Sequence, residues 1–343
     1  MKPKRKTFGS IMTFACLATA ALASSCSTYY CVSSQVSEDL SVKRTIYSSE
    51  NSYEHLQEDI WKIQKLDRHA GFNFHNSSDS MRFKACAQAC EIDMLKCKSD
   101  IGNPILCPEE SLGRKFRWFF TQYEYKAAFK TFKNRIPLAY DGYLTEEEIG
   151  LLLRGADMPN GWNGTEIYGM LDEISRKFAQ WYSDAVYITL CDIFRPYCDE
   201  RQIVFMETAH DAFMKKTDRE DVLMMAPKDF VSIWENLAPE MKISDVYSAE
   251  KASIDKAYET GTQVIEYFFT ESFYTIDLPG KYAYGNAVEF MDGNPVWKVD
   301  AYRLLYGDMI LKAASRKVNI WAFLVTFAII AAIACPIIIR RRI

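Results

Sequence analysis

From Ile320 to Ile339 the chain carries no charged residue, and Arg340, Arg341 and Arg342 follow directly. No other feature restricts its folding as much. A run of about 20 apolar residues has no polar face to offer water, and it is the length a helix needs to span a hydrocarbon core. Trp321 stands where an interfacial aromatic would lie, and Pro336 falls near the far end, where a helix tolerates it. The pattern predicts a transmembrane helix over 318–340 and a tail of 341–343.

A second apolar stretch sits at the other end. Lys2, Lys4, Arg5 and Lys6 precede an uncharged run from Phe8 to Ala23, followed by Ser24, Ser25 and Cys26. Basic start, short apolar middle and small-residue exit are the three parts of an export signal, predicted over 1–25. Ala21-Leu22-Ala23 offers one cleavage site. Ala23-Ser24-Ser25-Cys26 offers another, of the lipobox kind, with Cys26 as the lipidated first residue, although Leu22 lies one position earlier than that pattern places it. Export would put residues 26–317 in an oxidising periplasm, held to a bacterial inner membrane, and leave the three arginines in the cytoplasm.

Charge is read in that frame. The formal net charge is −4; removing the four cations of residues 1–25 takes it to −8, and removing the three terminal arginines takes it to about −11. So acidic a body is a poor partner for nucleic acid or for broad attraction to anionic headgroups. The cysteines suit the oxidising side. Cys86, Cys90, Cys97 and Cys107 crowd one stretch, and Cys191 and Cys198 form a local pair; all six are candidates for disulfides, with the connectivity open. The C-x3-C-x6-C-x9-C spacing lacks the paired C-x2-C knuckles of structural zinc sites, so no metal is assigned.

Along the body, Thr28 to Tyr47 alternates around Ser37-Glu38-Asp39-Leu40 and predicts a β-hairpin. Residues 51–134 are read as mostly helical, from Ile60, Ile63 and Leu66 and from an aromatic stripe over 115–132. Asp141 to Glu148 (DGYLTEEE) matches half of a calcium loop, but Pro137 and Ala139 fall where two oxygen ligands belong. The same residues make a turn and a capping box, Thr145 with Glu148, which is the favoured reading. Helices are expected on to residue 270, and a β-meander from 273 to 315. The expected fold class is α+β: an antiparallel sheet built from the N-terminal hairpin (28–47) and the C-terminal meander (273–315), a large central helical insertion (51–270), and one C-terminal transmembrane helix.

The chain resembles the uncharacterised membrane-anchored lipoproteins of the Bacteroidota. The resemblance lies in Ser24-Ser25-Cys26, the hairpin from Val36 to Tyr47, Tyr143 to Glu148, Trp162 to Ile167, the C-terminal run, and Leu278-Pro279-Gly280 with Asn286, Asn294 and Trp297. It implies location and architecture, and no substrate.

Chemistry is harder to find. The histidines are His55, His69, His75 and His210, without an H-E-x-x-H, and no G-x-S-x-G, P-loop or G-x-G-x-x-G occurs. No cofactor is assigned. The loop 155–165 holds Asp157, Asn160, Trp162 and Asn163, a candidate binding surface. Two functions are carried forward. The first is a non-enzymatic envelope module whose partners are the bilayer, reached through the C-terminal helix and an N-terminal lipid, and an envelope protein or lipid. The second is a membrane-anchored periplasmic hydrolase with an unrecognised site.

Overall fold

The structure, a computed structural model, describes residues 28–51, 53, 55–57, 59–71, 80–98, 103–152, 164–217, 219–223 and 225–340. The predicted export signal, Cys26, the 157–163 loop residues and the 341–343 tail lie outside that set.

The expected hairpin is present. β1 (Thr28–Val36) and β2 (Val42–Ser48) pair antiparallel, Val36 opposite Val42. Alternation drives it: Tyr30, Val32 and Val36 of β1 and Val42 and Ile46 of β2 are buried. Leu40 takes a left-handed φ of 73° in the turn, and the Asp39 carboxylate accepts bonds from the Ser41 amide (3.0 Å) and hydroxyl (2.8 Å).

The next segment corrects the sequence reading. Among the described residues of 62–129 there is one short 3-10 turn, Ile92–Leu95, and no α-helix; the other elements are strands: β3 (Lys62–Gly71), β4 (Ser80–Ala89), β5 (Glu109–Phe116) and β6 (Phe120–Phe129). The period is two. In β4, Met81, Ala85, Ala87 and Ala89 are buried; in β6, Tyr123, Tyr125, Ala127 and Phe129 are. Alanine hides a strand signal because it does not favour a pleat. The aromatic positions 116, 120 and 123 also fit a helical repeat, which is why they misled.

Helices fill the middle: α1 (Glu146–Leu152), α2 (Gly164–Phe194), α3 (Glu200–Thr208), α4 (His210–Met214), α5 (Arg219–Val222), α6 (Pro227–Leu237), α7 (Ile243–Thr262) and α8 (Val264–Phe268). α1 starts with the predicted capping box: the Glu148 amide donates to the Thr145 hydroxyl (3.3 Å), and the Thr145 amide donates to the Glu148 carboxylate (2.8 Å). The 31-residue α2 is the spine of the lobe. Its Tyr187 meets Trp234 of α6 edge-on at 5.9 Å, and Phe178 reaches Phe268 of α8 at 5.3 Å.

The chain then returns to strands: β7 (Thr270–Asp277), β8 (Lys281–Gly285), β9 (Glu289–Met291) and β10 (Asn294–Asp300), then α9 (Ala301–Tyr306) and β11 (Met309–Val318). Here too the expectation is corrected. The late strands do not make one meander with the hairpin, and 301–306 is helical. Among the described residues they divide between a seven-stranded sheet, β3-β4-β2-β1-β7-β10-β9, and a four-stranded sheet, β5-β6-β11-β8. β1 joins β7 in parallel, Thr28 opposite Thr270. Parallel pairing needs a long crossover, and the intervening chain with its helical lobe supplies it. The sheets face each other across one core, where Phe129 meets Tyr274 at 5.0 Å and Tyr125 meets Trp297 at 6.4 Å.

α10 (Ile320–Arg340) follows β11, with its side chains described as far as Ala334. Among the described residues no helix is long and apolar enough to cross a membrane. The transmembrane assignment of 318–340 is thereby corrected, and the ground for placing Arg340, Arg341 and Arg342 beyond a membrane goes with it.

Candidate functional site

The β5–β6 hairpin ends in Phe116-Arg117-Trp118-Phe119-Phe120, closed by the Arg117 amide donating to the Phe120 carbonyl at 2.8 Å. Aromatics at a strand tip would ordinarily turn inward; these meet the start of α10 instead. Phe116 stacks on Trp321 at 6.2 Å, Trp118 sits edge-on to Trp321 at 5.4 Å, and Phe119 lies 4.7 Å from Phe323. The Trp118 indole donates to the Thr326 hydroxyl at 2.8 Å. Asn319, between β11 and α10, fixes the junction. Its side-chain amide donates to the carbonyls of Arg117 (2.9 Å) and Trp118 (3.3 Å), its backbone N–H donates to the Phe119 carbonyl (3.0 Å), and its side-chain oxygen accepts from Thr121 (3.1 Å).

This collar is tightly bonded within itself yet open outward. Phe116 is 58% exposed and Trp118 46%, and on α10 Leu324 is 67% exposed and Phe327 73%. Ile320, Ile329, Ile330 and Ile333 are exposed as well. Collar and helix make one continuous apolar surface, of the kind that marks an interaction site. Sequence reasoning assigned the 115–132 aromatics to a core and missed the collar. The signal was four aromatics in five residues without a glycine or proline, interrupted only by arginine.

The helical lobe contains a second cluster. Asp184 of α2 is buried and gathers three partners: Tyr143 donates to it at 2.9 Å, Arg219 at 2.9 Å, and the His210 Nε2 lies 3.1 Å away. Burial, and then the bond to Asp184, push the Tyr143 phenol up to about 12. The other His210 nitrogen, Nδ1, lies 3.2 Å from Asp211. With both ring nitrogens engaged, His210 presents neither to a substrate. The neighbouring Ser183 hydroxyl is buried and donates to the Gln180 carbonyl at 3.0 Å, so it is not posed as a nucleophile. The cluster ties α4, α5 and the start of α1 to α2.

A third polar group joins the two sheets. Arg44 of β2 makes two 2.6 Å bonds to Glu110 of β5, and Tyr125 donates to the same carboxylate at 2.6 Å. Ser34 accepts from Arg44 at 2.8 Å. Both charged side chains are at least nine-tenths buried and close a bidentate pair with nothing left over for a ligand.

Of the six candidate disulfide cysteines, Cys97 and Cys107 are bonded, with Cα atoms 5.6 Å apart. Cys86, Cys90, Cys191 and Cys198 are free. Burial pushes the Cys191 thiol up to about 12 and Cys198 to about 11, so neither is a ready nucleophile. A groove of about 460 Å³ lies beside the β7–β8 turn, lined by Asp277, Lys281, Tyr282, Asp292, Asn294 and Ser315, among others. Its serine donates to the Pro279 carbonyl at 2.7 Å. No group of three or more His, Cys, Asp or Glu side chains placed to hold a metal occurs among the described residues. No family profile, curated protein or solved structure matches this chain.

Proposed function

We propose that this chain is a membrane-tethered interaction protein of a bacterial cell envelope, non-enzymatic, that docks on lipid through the collar and the apolar side chains of α10. The observation that carries the reading is the continuous exposed apolar surface from Phe116 and Trp118 to Phe327 and Ile333. Tryptophan and phenylalanine at the base of an apolar helix suit the headgroup boundary, where a ring can be half apolar and half wet. The Cys97–Cys107 bond supports placement on an oxidising, periplasmic side. The likeness to the Bacteroidota lipoproteins agrees with that placement and remains part of the proposal.

A lipid on Cys26 belongs to the proposal on sequence grounds, two residues before β1 in the sequence. Glu38, just past the end of β1, pairs with Lys317 beside the collar. Thr28 begins β1 at the other end, about 26 Å away at ~3.3 Å per residue. An N-terminal lipid would be a second, separate tether.

Flotation of the full chain with phosphatidylcholine vesicles tests the reading. The wild type should float with the lipid and its tryptophan emission should shift to the blue. The triple change F116S/W118S/F119S should lower partitioning by at least about ten-fold, since burying each ring is worth ~1.5–3 kcal/mol. A wild-type chain that stays in the aqueous phase would sink the proposal.

A further inference from the structure

We infer that the face of the four-stranded sheet just below the collar selects anionic phospholipid headgroups, through Arg316, Lys281 and Arg117. The inference rests on the lipid-docking reading above and names the lipid chemistry.

The register sets it up. Lys115 of β5 stands opposite Gln122 of β6, Gln122 opposite Arg316 of β11, and Arg316 opposite Lys281 of β8. Directly paired residues of an antiparallel sheet share a face, so these four side chains form one rung across the sheet. The face is the outer one. Lys115, Arg316 and Lys281 are exposed, while Tyr123 and Ser315, one step along the same strands, are buried. The β7–β8 turn is built to keep this rung. Gly280 has a φ of +97° and lies against the Arg316 carbonyl, where any Cβ would collide. The turn can therefore approach β11 closely enough to seat Lys281 opposite Arg316.

The charges on the rung differ in what already occupies them. Lys115 is paired with Glu124 at 2.7 Å. Nearby on the inner side, Lys317 pairs with Glu38, and Arg114 donates to the Glu38 carbonyl at 2.9 Å. Arg316 lies 4.9 Å over the Phe120 ring, which orients it without neutralising it. Arg316, Lys281 and the exposed Arg117 of the tip pair with no carboxylate among the described residues. Val318 is two residues beyond Arg316, so the rung lies about 7 Å from the last residue of β11. Long basic side chains there reach the phosphate level when the aromatic rings sit at the boundary. The acidic net charge of the chain conceals this, because net charge averages over faces that do not meet the same partner. At a surface, charge within a Debye length of the lipid is what counts.

The test compares full-length protein on vesicles of phosphatidylcholine alone and of phosphatidylcholine mixed with phosphatidylglycerol. The anionic lipid should raise partitioning, and added salt should reverse the gain. R117Q/R316Q/K281Q should lose on the order of a hundred-fold on anionic vesicles, about five-fold for each basic side chain near the surface. R316Q/K281Q, which leaves the collar intact, should partition to neutral vesicles as the wild type does, with an unchanged denaturation midpoint to show that it folds. K115Q, whose charge is already paired, should lose less than any one of the three. Equal wild-type binding to both lipids, or an anionic preference that survives the triple change, overturns the inference while leaving lipid docking in place. A chain that binds neither vesicle, or that forms a stable dimer through α10 and ignores lipid, overturns both.

Discussion

The β5–β6 hairpin carries aromatic residues at both ends, and the two ends have opposite fates. Toward the middle of the molecule, Tyr125 and Phe129 are buried against the other sheet. At the tip, Phe116, Trp118 and Phe119 are exposed around α10. Composition does not separate them, since both ends are rings on strands of one hairpin. What differs is what lies opposite. The seven-stranded sheet covers the inner rings, while the tip extends to a helix that is itself apolar and exposed. An aromatic residue reports a surface that prefers to leave water, and only its neighbours decide whether the protein or a partner covers that surface.

The largest effect is expected at the inner end. Glu110→Ala would leave the buried Arg44 guanidinium without its carboxylate and remove the acceptor of the Tyr125 hydroxyl. A loss of about 3–5 kcal/mol is expected by urea denaturation. A loss below about 1 kcal/mol would mean that the sheets are not joined through this pair.

A smaller effect should appear with pH. His55 is buried beside Tyr30 of β1, and burial, with Lys98 adding repulsion, pulls its imidazole down to about 4. The unfolded imidazole has its ordinary value near 6.5. Between these values the unfolded chain binds a proton that the folded chain refuses. The stability is therefore complete above about pH 6.5 and is lost as pH falls toward about 4, amounting to about 3 kcal/mol. Denaturation midpoints across that window should fall for the wild type and flatten for His55→Leu. An unchanged slope in the variant would assign the acid sensitivity elsewhere.

The smallest expected effect lies at the tip. Phe116→Ser should change folding stability by only about 0.5 kcal/mol, as exposed positions usually do, while weakening vesicle partitioning measurably. A stability loss as large as that of Glu110→Ala would show the collar to be core after all and remove the contrast.

Some of this was legible in the amino-acid sequence. The Thr28–Tyr47 hairpin reads directly, because period-two burial and a Ser-Glu-Asp-Leu turn are local signals. The Thr145/Glu148 cap reads for the same reason, and so do α2 and α6, whose apolar faces repeat at helical spacing. β4 and β6 did not read. Their alternation runs through alanine or through aromatics that also fit a helical repeat, and only pairing with β2 and β11 settles the choice. The Arg44–Glu110 pair left no trace, since its members are 66 residues apart. Nor could spacing choose which cysteines of 86–107 would bond.

A C-terminal apolar run, a basic and apolar start, and an aromatic-rich body with excess acid are all read from the residues alone. Those are properties of composition and short-range order, and each is fixed by neighbouring residues. Tertiary structure alone decided that the late strands divide between two sheets, that β1 and β7 run parallel, that the tip aromatics surround α10, and that Arg316 and Lys281 share a rung. These depend on which distant segments pack together, and the collective burial that selects the partner is carried by no single stretch of chain.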